Sequence, residues 1–151
     1  MKKIFPIIML SLILSSCHIN DLKVFKGSFV YFNEAASSST VINSKGTFTG
    51  EYMIQFTSEA IEENLKVTVK AHVGDGLKEG VDFQLLSPSE LTFYPGVYKL
   101  YYRVKWLPHQ LDPSKDNTIT LEIESASDPT VTLGVPGPSQ KYRTIKLTKN
   151  N

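Results

Sequence analysis

The sequence predicts an all-β protein, a single immunoglobulin-like antiparallel β-sandwich of about seven strands. Three observations predict it. Apolar and polar residues alternate with a period of two through segment after segment, the pattern of strands with one wet face. Glycine, proline, asparagine and aspartate punctuate those segments at short intervals. No stretch joins helical spacing to helix caps; "SEAIEENLK" reads as a connection holding at most one helical turn.

The first strand is expected near 28–33, and "AASSST" after it reads as a polar loop. In the second, 48–57, Phe48, Gly50, Tyr52, Ile54 and Phe56 share one face; Thr49, Glu51, Met53, Gln55 and Thr57 share the other. In the third, 64–73, Leu65, Val67, Val69, Ala71 and Val73 alternate with Lys66, Thr68, Lys70 and His72. Gly74-Asp75-Gly76 then turns the chain into a fourth strand, 81–86, which a short extended piece at Leu91–Phe93 prolongs. The fifth, 97–106, sets Tyr98, Leu100, Tyr102, Val104 and Trp106 against Lys99, Tyr101, Arg103 and Lys105. Ile119, Leu121 and Ile123 mark the sixth, 118–125, and the seventh is expected at 141–148, after Pro136-Gly137-Pro138. Period-two parity assigns Val69 and Leu121 to the core and Lys70 and Glu122 to solvent.

The N-terminus has a different character. Lys2 and Lys3 precede an apolar run from Ile4 to Leu14, the layout of a secretory signal and too short to span a bilayer. The run ends in Leu14-Ser15-Ser16-Cys17, which resembles the lipobox of bacterial lipoproteins. That resemblance implies cleavage after residue 16 and lipidation of Cys17, the chain's single cysteine. Small side chains before the cut admit a peptidase, and a thiol is the nucleophile that accepts the lipid. Several acyl chains anchor stably where one does not. Residues 1–16 are thus expected to be a signal peptide, 17–27 a lipidated tether, and 28–148 one domain. The expected location is the outer membrane, on its periplasmic or surface face.

Loss of residues 1–16 removes two of the 16 basic residues and none of the 15 acidic ones. The near-neutral balance argues against nucleic-acid binding, which needs a basic footprint. A single cysteine permits no disulfide within the monomer, so the core alone holds the fold.

The domain resembles Calx-β domains, in particular variants in surface lipoproteins of Bacteroidetes. The matching residues are Gly80, Asp82 and Phe83 of "EGVDF", then Leu91, Phe93, Pro95 and Gly96 of "LTFYPG". "ITLEIESAS", "VTLG" and a last strand "YRTIKL" complete the match. It covers roughly residues 28–148, through order and spacing rather than one motif. In that family acidic loop residues can bind calcium, and the resemblance implies Asp82, Asp112, Asp116 and Asp128 as a weak calcium set. The acidic pattern is thinned here: Asn43-Ser44 replaces an acidic position, and "LPHQLDPSKDNT" carries two aspartates. A hard cation wants six to eight oxygens. The alternative is that Asp112 and Asp116 are solvated turn residues and Asp82 caps a turn. No resident cofactor is expected.

The residues give no catalytic constellation. His18, His72 and His109 have no zinc-ligand spacing, and no serine sits in a glycine elbow. The expectation is a non-enzymatic binding or adhesion module, whose partner is a glycan or another envelope protein. The Bacteroidetes resemblance adds the implication of an accessory in glycan capture; the alternatives are a structural subunit of an envelope complex or a calcium-binding module of Calx-β type. Sugar rings stack on flat apolar faces, so exposed aromatics are the candidate contacts. Tyr101 and Tyr142 lie out of phase with their apolar neighbours, and Tyr94 precedes the Pro95-Gly96 turn. Trp106 has core parity, and it joins these candidates only if the register is inverted.

Overall fold

The computed structural model describes residues 27–33, 39–58 and 62–151. The expected signal peptide, Cys17 and the expected tether up to residue 26 lie outside the described residues. So do 34–38 in the first loop and 59–61 of "SEAIEENLK"; residues 62 and 63 of that connection form a bend.

Ten strands, and no helix, occur among the described residues. They are β1 (Phe29–Phe32), β2 (Ser39–Asn43), β3 (Phe48–Thr57), β4 (Leu65–Val73) and β5 (Phe83–Leu85), followed by β6 (Glu90–Phe93), β7 (Lys99–Trp106), β8 (Thr118–Ala126), β9 (Thr132–Leu133) and β10 (Thr144–Asn150). They form two five-stranded sheets, β5-β7-β3-β1-β9 and β2-β10-β8-β4-β6. The chain is an all-β sandwich of the expected class. All seven expected strands are present, and three short ones join them.

Alternation built the sandwich as the periodicity requires. Tyr52, Ile54 and Phe56 of β3 and Tyr102, Val104 and Trp106 of β7 face inward from the first sheet. Val67 and Val69 of β4, Ile119, Leu121 and Ile123 of β8, and Ile145 and Leu147 of β10 meet them from the second. Each fully buried aliphatic or aromatic side chain contributes about 1.5–3 kcal/mol relative to exposure. Parity reaches too far at two strand ends. Phe48 opens β3 and Val73 closes β4, and both are exposed.

Three details depart from the expected elements. "AASSST" is not wholly loop: Ser39 and Thr40 open β2, an edge strand that runs parallel to β10 from Ser39↔Lys146 to Asn43↔Asn150. Thr132–Leu133 runs parallel to β1, so the sandwich carries two parallel pairs among its antiparallel ones. Leu91–Phe93 does not prolong the fourth strand. Leu86 and Ser87 donate to Arg103 O on β7, and two residues later Ser89 O accepts from Val69 N on β4. The chain changes sheets across Pro88, which has no N–H to continue a ladder.

Tyr52 and Trp106 form a buried polar joint in the first sheet. Trp106 Nε1 donates to Tyr52 Oη over 3.1 Å. The Tyr52 ring folds back over Gly50, where a Cβ would lie 2.7 Å from Tyr52 Cζ. A side chain at position 50 would have to displace that ring.

Candidate functional site

At one end of the sandwich a lysine–aspartate pair is buried in the protein, with the exposed His109 at its edge. Ile145, Leu147 and Lys149 share the inward face of β10, so the third position of a core-facing stripe is a lysine. Its side chain is 0% exposed. The ammonium donates to Leu107 O at 2.8 Å, Asp82 O at 3.1 Å and Asp82 Oδ1 at 3.2 Å, which fills its three donor positions. Asp82 Oδ1 also meets His109 Nδ1 at 2.9 Å, and Asp82 Oδ2 accepts from Lys78 N–H at 2.9 Å. Burial works to raise the Asp82 pKa. The Lys78 amide, His109 and the Lys149 ammonium outweigh it and hold the carboxyl below its ordinary value of 3.8.

The four aspartates of the expected calcium set do not converge. Asp116 and Asp128 flank the nine-residue strand β8, a span of about 30 Å. Asp82 is committed to Lys149 and His109. Asp112 and Asp128 are turn residues: Oδ1 of the first accepts from Ser114 Oγ and N–H, and Oδ1 of the second from Thr130 Oγ1 and N–H. Those hydrogen bonds, the hydroxyl first, lower both pKa values. Asp116 Oδ1 accepts from Thr118 Oγ1, and its own N–H donates to Asp75 Oδ1. Among the described residues no three His, Cys, Asp or Glu side chains gather as a metal site.

The aromatic candidates separate clearly. Trp106 is 0% exposed, and Tyr52, Phe83 and the core enclose it, so it is not a ligand contact. Tyr142 is half-buried, not on a strand face: the last strand starts at Thr144, and Tyr142 has φ 61° in the preceding turn. Its carbonyl accepts from Phe32 N–H at 2.9 Å. Tyr94 is 56% exposed at the turn before β7. Tyr101 is 41% exposed in the middle of β7, on the outer face of the first sheet.

That outer face is the more open candidate. Across β3 and β7 the registers pair Glu51↔Arg103, Met53↔Tyr101 and Gln55↔Lys99. Arg103 Nε donates to Glu51 Oε1 at 2.8 Å. Tyr31 of β1 stands opposite Gln55, and its ring stacks on Phe29 with centroids 5.4 Å apart. Asn33 Nδ2 donates to Gln55 Oε1 at 2.6 Å. The face thus mixes aromatic rings, Tyr101 exposed and Tyr31 half-buried, with amide, guanidinium and carboxylate groups. Tyr31, Met53 and Lys149 were missed by sequence reasoning. For Lys149 the signal was present, since it continues the parity of Ile145 and Leu147.

No family model and no curated protein matches this chain. Solved structures do share its fold. A protein of unknown function from Bacteroides ovatus superposes with a TM-score of 0.54 at 12% identity, over 82% of this chain and 44% of that one. CBD12 from CALX1.2, a Calx-β structure, superposes with a TM-score of 0.50 at 18% identity, over 81% of this chain and 44% of that one. The chain therefore spans less than half the length of either neighbour. At these identities the likeness is one of fold, and the fold is a Calx-β-like β-sandwich.

Proposed function

We propose that this protein is a lipid-anchored, non-enzymatic binding module of the bacterial envelope, whose ligand lies on the outer face of the β5-β7-β3-β1-β9 sheet. The observation that carries it is Tyr101. A large aromatic ring stays 41% exposed at the centre of a sheet face, paired with Met53 and bordered by Gln55, Lys99 and Arg103. A ring held open on a rigid strand supplies contact area at little entropic cost. The anchor reading rests on Leu14-Ser15-Ser16-Cys17 behind a short apolar run, and lipid would hold the sheet face where envelope ligands arrive. A glycan is the favoured ligand, because its rings stack on exposed aromatics.

Two measurements test this reading. Detergent phase partitioning should move the wild-type protein, but not Cys17→Ala, into the detergent phase. A glycan array probed with full-length protein should give signals that Tyr101→Ala removes and Tyr94→Ala leaves. Wild type in the aqueous phase sinks the anchor; array signals indifferent to Tyr101→Ala sink the proposed face.

A further inference from the structure

The two outer faces of the sandwich carry their charges differently. On the strands of the β2-β10-β8-β4-β6 sheet the outward charges balance: Lys66, Lys70 and Lys146 stand against Glu90, Glu122 and Glu124, with Lys66 paired to Glu90 and Lys70 to Glu124. On the β5-β7-β3-β1-β9 sheet the strands present Lys99, Arg103 and Lys105 against one acid, Glu51. Glu51 is engaged by Arg103. Lys99 and Lys105 stand opposite Gln55 and Thr49, and neither makes an ion pair among the described residues.

These groups lie in line. Lys99, Tyr101, Arg103 and Lys105 occupy alternate positions of one strand, so each is about 7 Å from the next along β7. A linear polymer laid along the strand meets cation, ring, cation and cation in turn.

We infer that this face binds an anionic polysaccharide, laid along β7 across Tyr101 and held by Lys99, Arg103 and Lys105. The inference rests on the binding-module reading and adds the ligand's charge and path. Charge complementarity sets the sign: a face with two uncompensated ammonium groups attracts a polyanion and speeds its encounter. Ring and amide chemistry set the class. Tyr101 offers a flat face and a hydroxyl, and the Asn33–Gln55 amide pair offers both donors and acceptors to sugar hydroxyls. A protein partner fits less well, because protein interfaces are depleted in lysine and centre on a contiguous apolar core. Nucleic acid fits less well because the whole chain carries a net charge of only +1.

The test is affinity electrophoresis of full-length protein in detergent, through gels containing polygalacturonate, alginate or chondroitin sulfate. Fully methyl-esterified polygalacturonate supplies an uncharged comparison. At least one anionic polymer should retard the wild type, more weakly as salt rises, and the methyl ester should retard it far less. Tyr101→Ala should weaken retention by about tenfold, as loss of a central tyrosine does at binding surfaces. Lys99→Gln with Lys105→Gln should weaken it severalfold, while Lys70→Gln with Lys146→Gln, on the other sheet, should not. Equal retention by the methyl ester, unmoved by the Lys99 and Lys105 changes, overturns the anionic class and leaves the binding-module reading standing. Equal binding of polyglutamate, a single-stranded oligonucleotide or anionic vesicles, indifferent to Tyr101→Ala, reduces the face to unspecific charge and overturns the inference. No retention in any of the three anionic gels overturns it as well; silence on the glycan array besides would also remove the glycan from the proposed function.

Discussion

Lys149 Nζ lies 3.2 Å from Asp82 Oδ1, both side chains buried and 67 residues apart in sequence. The contact ties the last strand to the loop entering β5. Leu107 O, the third acceptor, brings the segment after β7 to the same point. One ammonium thus cross-links three segments at one end of the sandwich.

Removing one partner should be far more damaging than removing both. Asp82→Ala leaves a buried ammonium without its counter-charge, at a cost of about 3–5 kcal/mol. Asp82→Ala with Lys149→Met removes both charges and fills the stem's volume with an apolar chain, so it should recover a large part of that loss. Urea denaturation of the single and double variants measures the coupling. If the double variant loses the sum of the two singles, the residues do not act as a pair.

The same pair predicts acid sensitivity. Asp82 has a native pKa below its ordinary 3.8. Its contribution to stability is therefore complete above about pH 5 and is lost as pH falls below 4 through the lowered native value. Urea midpoints at pH 7, 4 and 2.5 should fall less for Asp82→Asn than for wild type over the acid interval. Parallel declines would mean that other carboxylates carry the acid response.

Gly50 and the Tyr52–Trp106 bond give a third expectation. Gly50→Ala drives a methyl group into the Tyr52 ring and should cost about 1–3 kcal/mol by overpacking. Tyr52→Phe keeps the ring but leaves Trp106 Nε1 buried without its acceptor, at about 1–3 kcal/mol. Both should alter the fluorescence of the chain's single tryptophan. A Gly50→Ala protein as stable as wild type would show that the ring can swing aside.

Alternation made the long strands legible, because β3, β4, β7 and β8 each repeat the period often enough to fix a face. The short strands were not legible. Thr132–Leu133 has two residues and no period, and β2 exists through its parallel partner β10, a contact that no local pattern announces. Lys149 carried a parity signal, but a second rule spoke against it. A lysine at an inward position conflicts with the rule that charge seeks water, and three oxygens brought by distant segments resolve the conflict only after folding. Asp82 was singled out from the sequence, but its partners were not, since Lys149 and His109 are distant along the chain. Tyr101 was legible from parity alone.

The assignment of faces gives the last prediction. Val69 is 1% exposed and Leu121 0% exposed. Val69→Ala and Leu121→Ala should each destabilise the protein by about 1–4 kcal/mol, through lost transfer energy and the cavity left behind. Lys70 is exposed and its pair with Glu124 is a surface one, so Lys70→Ala should stay within about 0.5 kcal/mol. Glu122 differs from Lys70, although both point outward from paired strands. It meets His72 at 2.9 Å and Arg143 at 3.1 Å. Arg143 also donates from Nε to Ile123 O, so Glu122 helps to hold the turn that leads into β10. Glu122→Ala should therefore cost more than Lys70→Ala, up to about 1 kcal/mol, and raised salt should narrow the gap between them. Urea denaturation of the four variants at low and high salt measures this ordering. Should Lys70→Ala prove costlier than Val69→Ala, the faces of β4 are inverted, and the reasoning that displays Tyr101 by parity falls with them.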